Sequence, residues 1–562
     1  MNAGRVVATM LRDYKVRYVL GMPGGQHFPI YAGIAALRPA IDHVGFRCEK
    51  NAAFAAYAYA QVTGKPGICD ATVGPGVTNL ASGIAEAWAA SIPVIAISGD
   101  VPTWAVGKWA AQEMDTRSVL RPFTKAVLRV ERADKIPETI RMAFRLATSG
   151  RPGPVHLIFP ADILADEIQG ADLAVEERCS VFPSQRPGAD PRAIVEASEL
   201  LVAAQRPLLF AGGGVLTSGA SGELIALAEL LSAPVATSMM GKGSIPEDHP
   251  LSLGAAVTFN GPQLTYQMRG HRIVAESDLV VFVGTRTDEA ATAMWTMPRP
   301  GIRAIHIDID PAEIGRNYPV DVAIVADAKL ALQALLDELR GRALATDRTE
   351  RHQAVLHASQ EWRRAVRPKL ESNEVPITGH RVVRELRAVL DSDAVLVTDA
   401  SLVPYLAAAF VDARRAGRTF VSPRGLGSLG SSLPMVIGAK LGAPERTVVG
   451  FGGDGGFAMA LAELETARRS GLKVTYVLLN NSALGYSAMT LEPDISMHFE
   501  PVAYADVAKA FGWLGLQVHH PDELADALRV ALQADEPALV EVVSAIELPT
   551  TAGGLQIHRD AV

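Results

Sequence analysis

Short apolar, β-branched runs alternate with amphipathic helical stretches from one end of the chain to the other. That alternation predicts an α/β protein built on parallel sheets. In the first third, Tyr18–Leu20, Asp42–Phe46, Gly67–Ala71, Val94–Ser98 and Val155–Phe159 read as strands. Between Ala161 and Asp190 the pattern dissolves into acidic and Pro/Gly-containing sequence, a linker signal. A second block from about Pro191 offers Pro207–Ala211, Val235–Ser238, Leu279–Gly284 and Ile302–Asp308 as strands. A charged, partly helical connector covers about 341–380. A third block follows, with Ala394–Thr398, Thr447–Phe451, Val474–Asn480 and Ala538–Val543. The expected fold class is therefore α/β, with three doubly wound parallel-sheet domains at about 1–170, 190–340 and 375–550.

Composition narrows the field. The 562-residue chain is 49% hydrophobic and 20% charged, which is globular and not disordered. Its length suits three or four domains at roughly 150 residues each. A net charge of −8 is spread along the whole chain, which argues against a nucleic-acid partner. No uncharged run of 18 apolar residues occurs, so no membrane span is expected. Met1 to Arg5 run straight into an amphipathic helix without a signal-peptide core, so a cytoplasmic protein is expected. The three cysteines, Cys48, Cys69 and Cys179, are too few and too scattered for a disulfide framework or a zinc site.

The strongest chemical signal spans Thr447–Asn481. An apolar strand ends in Gly452-Gly453-Asp454-Gly455-Gly456. A helix carrying Leu461, Leu464 and Ala467 follows and stops at Gly471. A second strand ends in Asn480-Asn481. Right-handed crossover makes the two strands parallel, so Asp454 and Asn481 emerge on the same edge. That carboxyl edge is where open α/β sheets bind ligands. A carboxylate and an amide oxygen are hard ligands that suit magnesium or calcium, with phosphate oxygens and water completing the shell. The flanking glycines let backbone N–H groups approach those phosphates at a helix N-terminus. Either segment alone is a common turn; the pair, at both strand ends of one βαβ unit, is not.

Gly453-Asp454-Gly455 followed by Asn480-Asn481 resembles the thiamin-diphosphate signature of the acetolactate synthase and pyruvate decarboxylase superfamily. The resemblance implies that Asp454, Asn481 and the Ala483 carbonyl hold Mg2+, with Gly453, Gly455 and Gly456 beside the diphosphate. Chemistry on that cofactor needs an acid that exchanges a proton with N1′ of the pyrimidine, and a carboxyl group in an apolar pocket is the expected tool. Glu49 follows a strand and opens an alanine-rich helix. With the loop Gly74-Pro75-Gly76 and Asn79 downstream, this stretch is similar to the family's pyrimidine-binding domain, and Glu49 falls on its catalytic glutamate. Gln112, in Ala111-Gln112-Glu113, is implied to face the substrate end. Gly21-Met22-Pro23-Gly24-Gly25-Gln26 matches the family's Gly-x-Pro-Gly-Gly loop and brings Gln26 to the pocket. His27, next to it, reads as packing or surface rather than a base. Gly425-Leu426-Gly427-Ser428-Leu429-Gly430 implies a Gly427 carbonyl that accepts from the 4′-amino group. Leu429 would be the apolar wedge that bends the cofactor. Gly212-Gly213-Gly214, Gly284-Thr285-Arg286 and His306 to Pro311 are similar to the family's middle domain, which can bind FAD.

Several positions depart from that family. Cys48 replaces the His before the glutamate, Ala111 a Phe, and Thr490 a Trp near the acceptor site. Ser401 stands as the hydroxyl donor where a Gln-His-Gln run is common. Ala290 replaces an arginine associated with the acceptor carboxylate, and Arg117 is a candidate substitute. The altered middle segment also weakens the case for FAD. The implied activity is acetolactate synthase-like: decarboxylation of a 2-oxo acid, pyruvate by default, and carboligation by a homodimer or homotetramer. Alternatives are another 2-oxo acid decarboxylase, a 2-hydroxyacyl lyase or an acetyltransferase. A pyruvate oxidase-like FAD oxidoreductase and a non-catalytic cofactor binder complete the set, though an intact Glu49 argues against the last.

Overall fold

The computed structural model describes residues 1–260, 264–343, 348–490, 495–546 and 555–557. Three six-stranded sheets, each parallel throughout, follow one another along the chain. The N-terminal sheet is built from Tyr18–Gly21, Asp42–Gly45, Gly67–Ala71, Val94–Asp100, Ala126–Arg129 and Val155–Pro160. Numbered along the chain, these strands lie side by side in the order 2-1-3-4-6-5. The C-terminal sheet repeats that order with Val395–Thr398, Phe420–Val421, Val448–Gly453, Thr475–Asn480, Leu514–Val518 and Ala538–Val543. The middle sheet (Pro207–Ala211, Val235–Thr237, Ser252–Ala255, Leu279–Val283, Arg303–Asp308, Val322–Val325) lies in the order 3-2-1-4-5-6. That is the doubly wound arrangement whose switch point opens a crevice between strands 1 and 4.

The expected strands are present to within a few residues. The edge strands Ala126–Arg129, Phe420–Val421 and Leu514–Val518 carry weak signals, being short or half-exposed. A small antiparallel sheet of Val257–Asn260, Leu264–Gln267 and Leu555–Ile557 is an addition to the expected architecture. The single helix expected after Asp454 is two: Asp454–Ala458 and Glu463–Arg469. Between them Met459 and Ala460 donate to carbonyls three residues back, not four, which tightens the turn and re-aims the axis. The connector after the middle sheet is mostly one 23-residue helix, Arg348–Leu370.

One continuous core joins the N- and C-terminal sheets. The helix Glu49–Thr63 is alanine-rich and crosses the helix Ser432–Gly442. A Cβ added to Gly438 would stand 2.0 Å from the Ala55 carbonyl oxygen. The small residues therefore permit a backbone-to-backbone crossing, and Ala52 to Ala60 share one apolar cluster with Leu433 to Ile437. No helix among the described residues is long and apolar enough to cross a membrane.

Candidate active site

The C-terminal site begins with strand register. Gly453 pairs with Leu479 across two parallel neighbours, so the residues that follow each strand, Asp454 and Asn481, leave the sheet side by side. Asp454 opens the helix Asp454–Ala458 with Gly453 as its N-cap, and it is 2% exposed. Burial pushes its carboxyl pKa up, while backbone N–H groups including those of Asn481, Gly455 and Ala483 pull it down. No lysine or arginine among the described residues forms an ion pair with it. Asn481 Oδ1 accepts the Ala483 N–H at 3.2 Å, which curls the chain back over the strand end. Leu484 and Phe499 then tie that turn to the 497–499 segment. The glycines leave the room: a Cβ on Gly455 would lie 2.8 Å from Leu484, and one on Gly485 3.0 Å from Asn481 Nδ2. A buried carboxylate, an amide and a carbonyl in a glycine-lined cradle form a donor set fitted to a hard cation with phosphate oxygens.

The adjoining strand ends complete this edge. Asp399 is buried, and its carboxylate accepts the N–H groups of Ala400, Gly430 and Ser432 and the Ser432 hydroxyl at 2.5 Å. It thus ties the strand end to the start of the helix Ser432–Gly442. Ser401 follows in a left-handed conformation (φ +77°), and Ser482 shares it at φ +52°. Non-glycine residues held there store strain, which clusters at functional sites. Gly427 (φ +82°) is exposed, and Leu429 is half-buried beside it.

A second group forms at the carboxyl edge of the N-terminal sheet. Glu49 is 5% exposed, and its Oε2 accepts from Asn79 Nδ2 at 2.9 Å. A Cβ on Gly76 would touch Glu49 Oε1 at 3.1 Å and the Thr72 methyl at 3.0 Å. Thr72 donates to Gln26 Oε1 at 2.6 Å, and Gln26 Nε2 donates to Gln112 Oε1 at 3.2 Å. One hydrogen-bonded file thus carries Gln112, Gln26 and Thr72 toward Glu49. Gly74 is required where it stands, since a Cβ there would meet the Gln112 carbonyl at 2.6 Å. Gln112 itself is left-handed, at φ +69°.

Beneath Gln26, His27 is 1% exposed, with Nδ1 3.6 Å from Asp70. Burial opposes charge on Asp70, but the neighbouring His27 ring and His43, whose Nε2 lies 2.9 Å from Oδ1, outweigh it and hold the carboxyl below its usual range. Asp70 has no signature in the sequence, since an acid inside an apolar strand carries no motif. Arg117, the candidate substitute for the missing arginine, is exposed and paired with Glu131. Ala290 lies in the middle unit, where its carbonyl accepts from Thr258. The Thr490 side chain lies outside the described residues.

The crevice at the middle switch point is lined by Gly213, Gly214, Arg286 and Asp308, with Arg151 from the N-terminal unit and Arg418 from the C-terminal unit. Two glycines of the 212–214 triplet serve packing. A Cβ on Gly212 would stand 2.2 Å from the Gly284 carbonyl, and one on Gly214 2.7 Å from its Cα. Burial raises the Asp308 carboxyl to about 6.

Comparison with known proteins agrees with this geometry. The N-terminal TPP binding domain of thiamine pyrophosphate enzymes matches residues 1–119. The central domain matches 194–335 and the C-terminal TPP binding domain 399–542. A probable acetolactate synthase large subunit from Methanocaldococcus jannaschii is 35% identical, over 97% of this chain and 92% of its own. An acetolactate synthase from Mycobacterium bovis is 32% identical, over 97% of this chain and 88% of its own. A probable 2-ketoarginine decarboxylase from Pseudomonas aeruginosa is 35% identical, over 96% of this chain and 94% of its own. All three domains are matched, and the chain belongs to the thiamine pyrophosphate enzymes, in their acetolactate synthase-like branch.

Proposed function

We propose that this protein is a thiamin-diphosphate- and Mg2+-dependent enzyme that decarboxylates a 2-oxo acid, pyruvate by default, and passes the acyl unit to an acceptor. The observation that carries it is the buried Asp454 carboxylate beside Asn481 at neighbouring strand ends, without a cationic side chain as partner among the described residues. In this reading 1–170 binds the pyrimidine, 190–340 is the middle domain and 375–550 holds the diphosphate. Asp454, Asn481 and the Ala483 carbonyl hold Mg2+. Gly453, Gly455, Gly456 and the Ser401 hydroxyl face the diphosphate.

Thiamin diphosphate, when bound, would supply a nucleophilic thiazolium carbon and an electron sink for decarboxylation of a 2-oxo acid. The protein's own part is positional and protonic. Glu49 exchanges a proton with N1′, and Asn79 orients its carboxylate. Gly74, Pro75 and Gly76 shape the pyrimidine pocket around it. With the cofactor bound, the Gly427 carbonyl would accept from the 4′-amino group, and Leu429 would pack against it as an apolar wedge. Gln26 and Gln112 present amides to the substrate's polar atoms. The expected assembly is at least a homodimer, because Glu49 and Asp454 lie in separate domains and in the family the pyrimidine domain of one subunit faces the diphosphate domain of another. FAD, where bound, belongs in the middle crevice, and a yellow purified protein that takes up oxygen would favour the oxidoreductase reading. Three unpaired cysteines suit a reducing cytoplasm.

A second reading, a decarboxylase without an acceptor step, is favoured by the loss of the acceptor arginine at Ala290 and by the relative named as a 2-ketoarginine decarboxylase. Purified enzyme incubated with pyruvate, thiamin diphosphate and Mg2+ distinguishes the two, with products identified by mass. Acetolactate supports carboligation; acetaldehyde alone supports the second reading. Inert pyruvate overturns the choice of donor.

A further inference from the structure

Glu86 stands near the C-terminal end of the helix Pro75–Ala89 and is 0% exposed. Nothing local asks for an acid there, since the negative end of the helix dipole disfavours one. Its partners lie on another unit. Oε1 accepts the Gly425 N–H at 2.7 Å and the Leu426 N–H at 3.1 Å. Oε2 accepts the Ser428 N–H at 3.3 Å and the Ser428 hydroxyl at 3.1 Å. The approach is close: a Cβ on Gly425 would stand 2.7 Å from both Glu86 Oε1 and the Ala90 nitrogen. Desolvation raises the Glu86 carboxyl, and these donors pull it back toward the charged form.

The loop that Glu86 grips is 425–430, whose far end is tied to Asp399 through the Gly430 N–H at 2.9 Å. Gly427 and Leu429 sit between the two carboxylate anchors. Only one anchor belongs to the loop's own sheet. A reciprocal contact exists: Glu463 of the C-terminal unit, also 0% exposed, accepts the Arg47 N–H at 3.2 Å and Asn51 Nδ2 at 2.9 Å. Those donors bracket Glu49. Each unit therefore lends a buried carboxylate to the loop or helix start that carries the other's expected contact with the pyrimidine.

We propose that Glu86 is a positioning residue for cofactor activation, fixing the 425–430 loop so that the Gly427 carbonyl and Leu429 hold the pyrimidine in its bent geometry. The proposal rests on the thiamin diphosphate reading above and adds to it a residue that never touches the cofactor. Glutamate suits the task because four donors converge on two acceptor oxygens. Glutamine would turn an N–H2 toward one set of N–H groups and leave them unpaired.

The test uses the holoenzyme and the variants Glu86→Gln, Glu86→Asp and Ser428→Ala. For Glu86→Gln, thiamin diphosphate affinity by calorimetry is expected to change little, because the metal and diphosphate end is untouched. Exchange of the bound cofactor's C2 proton for deuterium is expected to slow roughly 10–100-fold, the scale of a slightly misplaced reacting group. Turnover should fall with KM for the 2-oxo acid unchanged, and near-ultraviolet circular dichroism of the bound aminopyrimidine should weaken. Ser428→Ala should move exchange the same way by less, and Glu86→Asp should recover part of it. A folded Glu86→Gln that exchanges at the wild-type rate overturns the proposal. So does a loss of cofactor affinity with the exchange rate per bound cofactor unchanged. Should Glu86→Gln fail to fold, Ser428→Ala decides by the same two readouts. A wild-type protein that binds no thiamin diphosphate refutes the underlying reading, and the proposal with it.

Discussion

At the scale of single residues, the two ends of the expected cofactor make opposite demands. Asp454 is the only carboxylate in its proposed donor set, so Asp454→Ala leaves a dication and a diphosphate without the charge that binds them. Thiamin diphosphate affinity, titrated by calorimetry with Mg2+ present, should fall by more than the roughly 10–100-fold typical of disturbing a metal's supporting hydrogen bonds. Asn481→Ala removes a neutral ligand and should cost less. Unchanged affinity in Asp454→Ala would take away the basis of the site. In the proposed mechanism Glu49 moves a proton and does not hold the cofactor. Glu49→Gln keeps the shape and the Asn79 contact, so cofactor should still bind. C2 exchange should slow by roughly 10²–10⁴-fold, the scale of general acid–base catalysis, and wild-type exchange would mean that another acid does the work.

At the scale of elements, the crossing of the helices Glu49–Thr63 and Ser432–Gly442 decides where Glu49 stands. Two terms compete at Gly438. Alanine in a helix interior is favoured over glycine by about 1 kcal/mol. Here, however, the added methyl would stand 2.0 Å from the Ala55 carbonyl oxygen, a rigid backbone atom. Overpacking of that kind costs typically 1–3 kcal/mol, so the clash wins. Gly438→Ala should lower Tm, against the sign of helix propensity, and should reduce C2 exchange because Glu49 opens the displaced helix. A raised Tm would show that the helices part at little cost.

At the scale of the whole molecule, side chains around the two buried carboxylates Glu49 and Asp454 face outward. Gln112, Trp109 (94% exposed), Leu426 (63%) and Met459 (52%) all present themselves to solvent around the two carboxyl edges. Apolar exposure of that size around a site calls for a covering surface. A homodimer that lays one copy's N-terminal edge against the other's C-terminal edge would supply it. Light scattering should give at least a dimer in the active state, and an active monomer would contradict the assembly. Acceptor choice belongs to the same scale, since it depends on the completed pocket. Arg117 is already paired with Glu131 and Ala290 offers no charge, so neither position supplies an acceptor carboxylate with a free bidentate cation. An apolar pocket separates acceptors that differ by a methylene by only about 10–200-fold. In competition, 2-oxobutyrate should therefore be used no better than pyruvate, with neutral aldehydes and ketones tolerated as acceptors. A strong preference for 2-oxobutyrate, read from the ratio of products, would show the acceptor pocket to be misplaced.

Local spacing carried the strand edge proposed to hold the metal. A strand, a crossover and a second strand can return only one way, so Asp454 and Asn481 had to emerge together once the two strands were recognised. The same logic placed Glu49 at the head of its helix, because a strand followed by an alanine-rich run announces itself within twenty residues or so. Other features left no such trace. The break between Ala458 and Glu463 lies inside a continuous helical pattern. The two-residue strand Phe420–Val421 is too short to show any period. Glu86 and the 425–428 loop lie 339 residues apart in their first contact, and neither segment carries a sign of the other. Periodicity reports which face of an element is buried, but not against what. Only the docking of the N- and C-terminal units determined that Glu86 and Glu463 are buried and what satisfies them. Long-range burial, not local preference, therefore decided the geometry in which the recognisable residues are held.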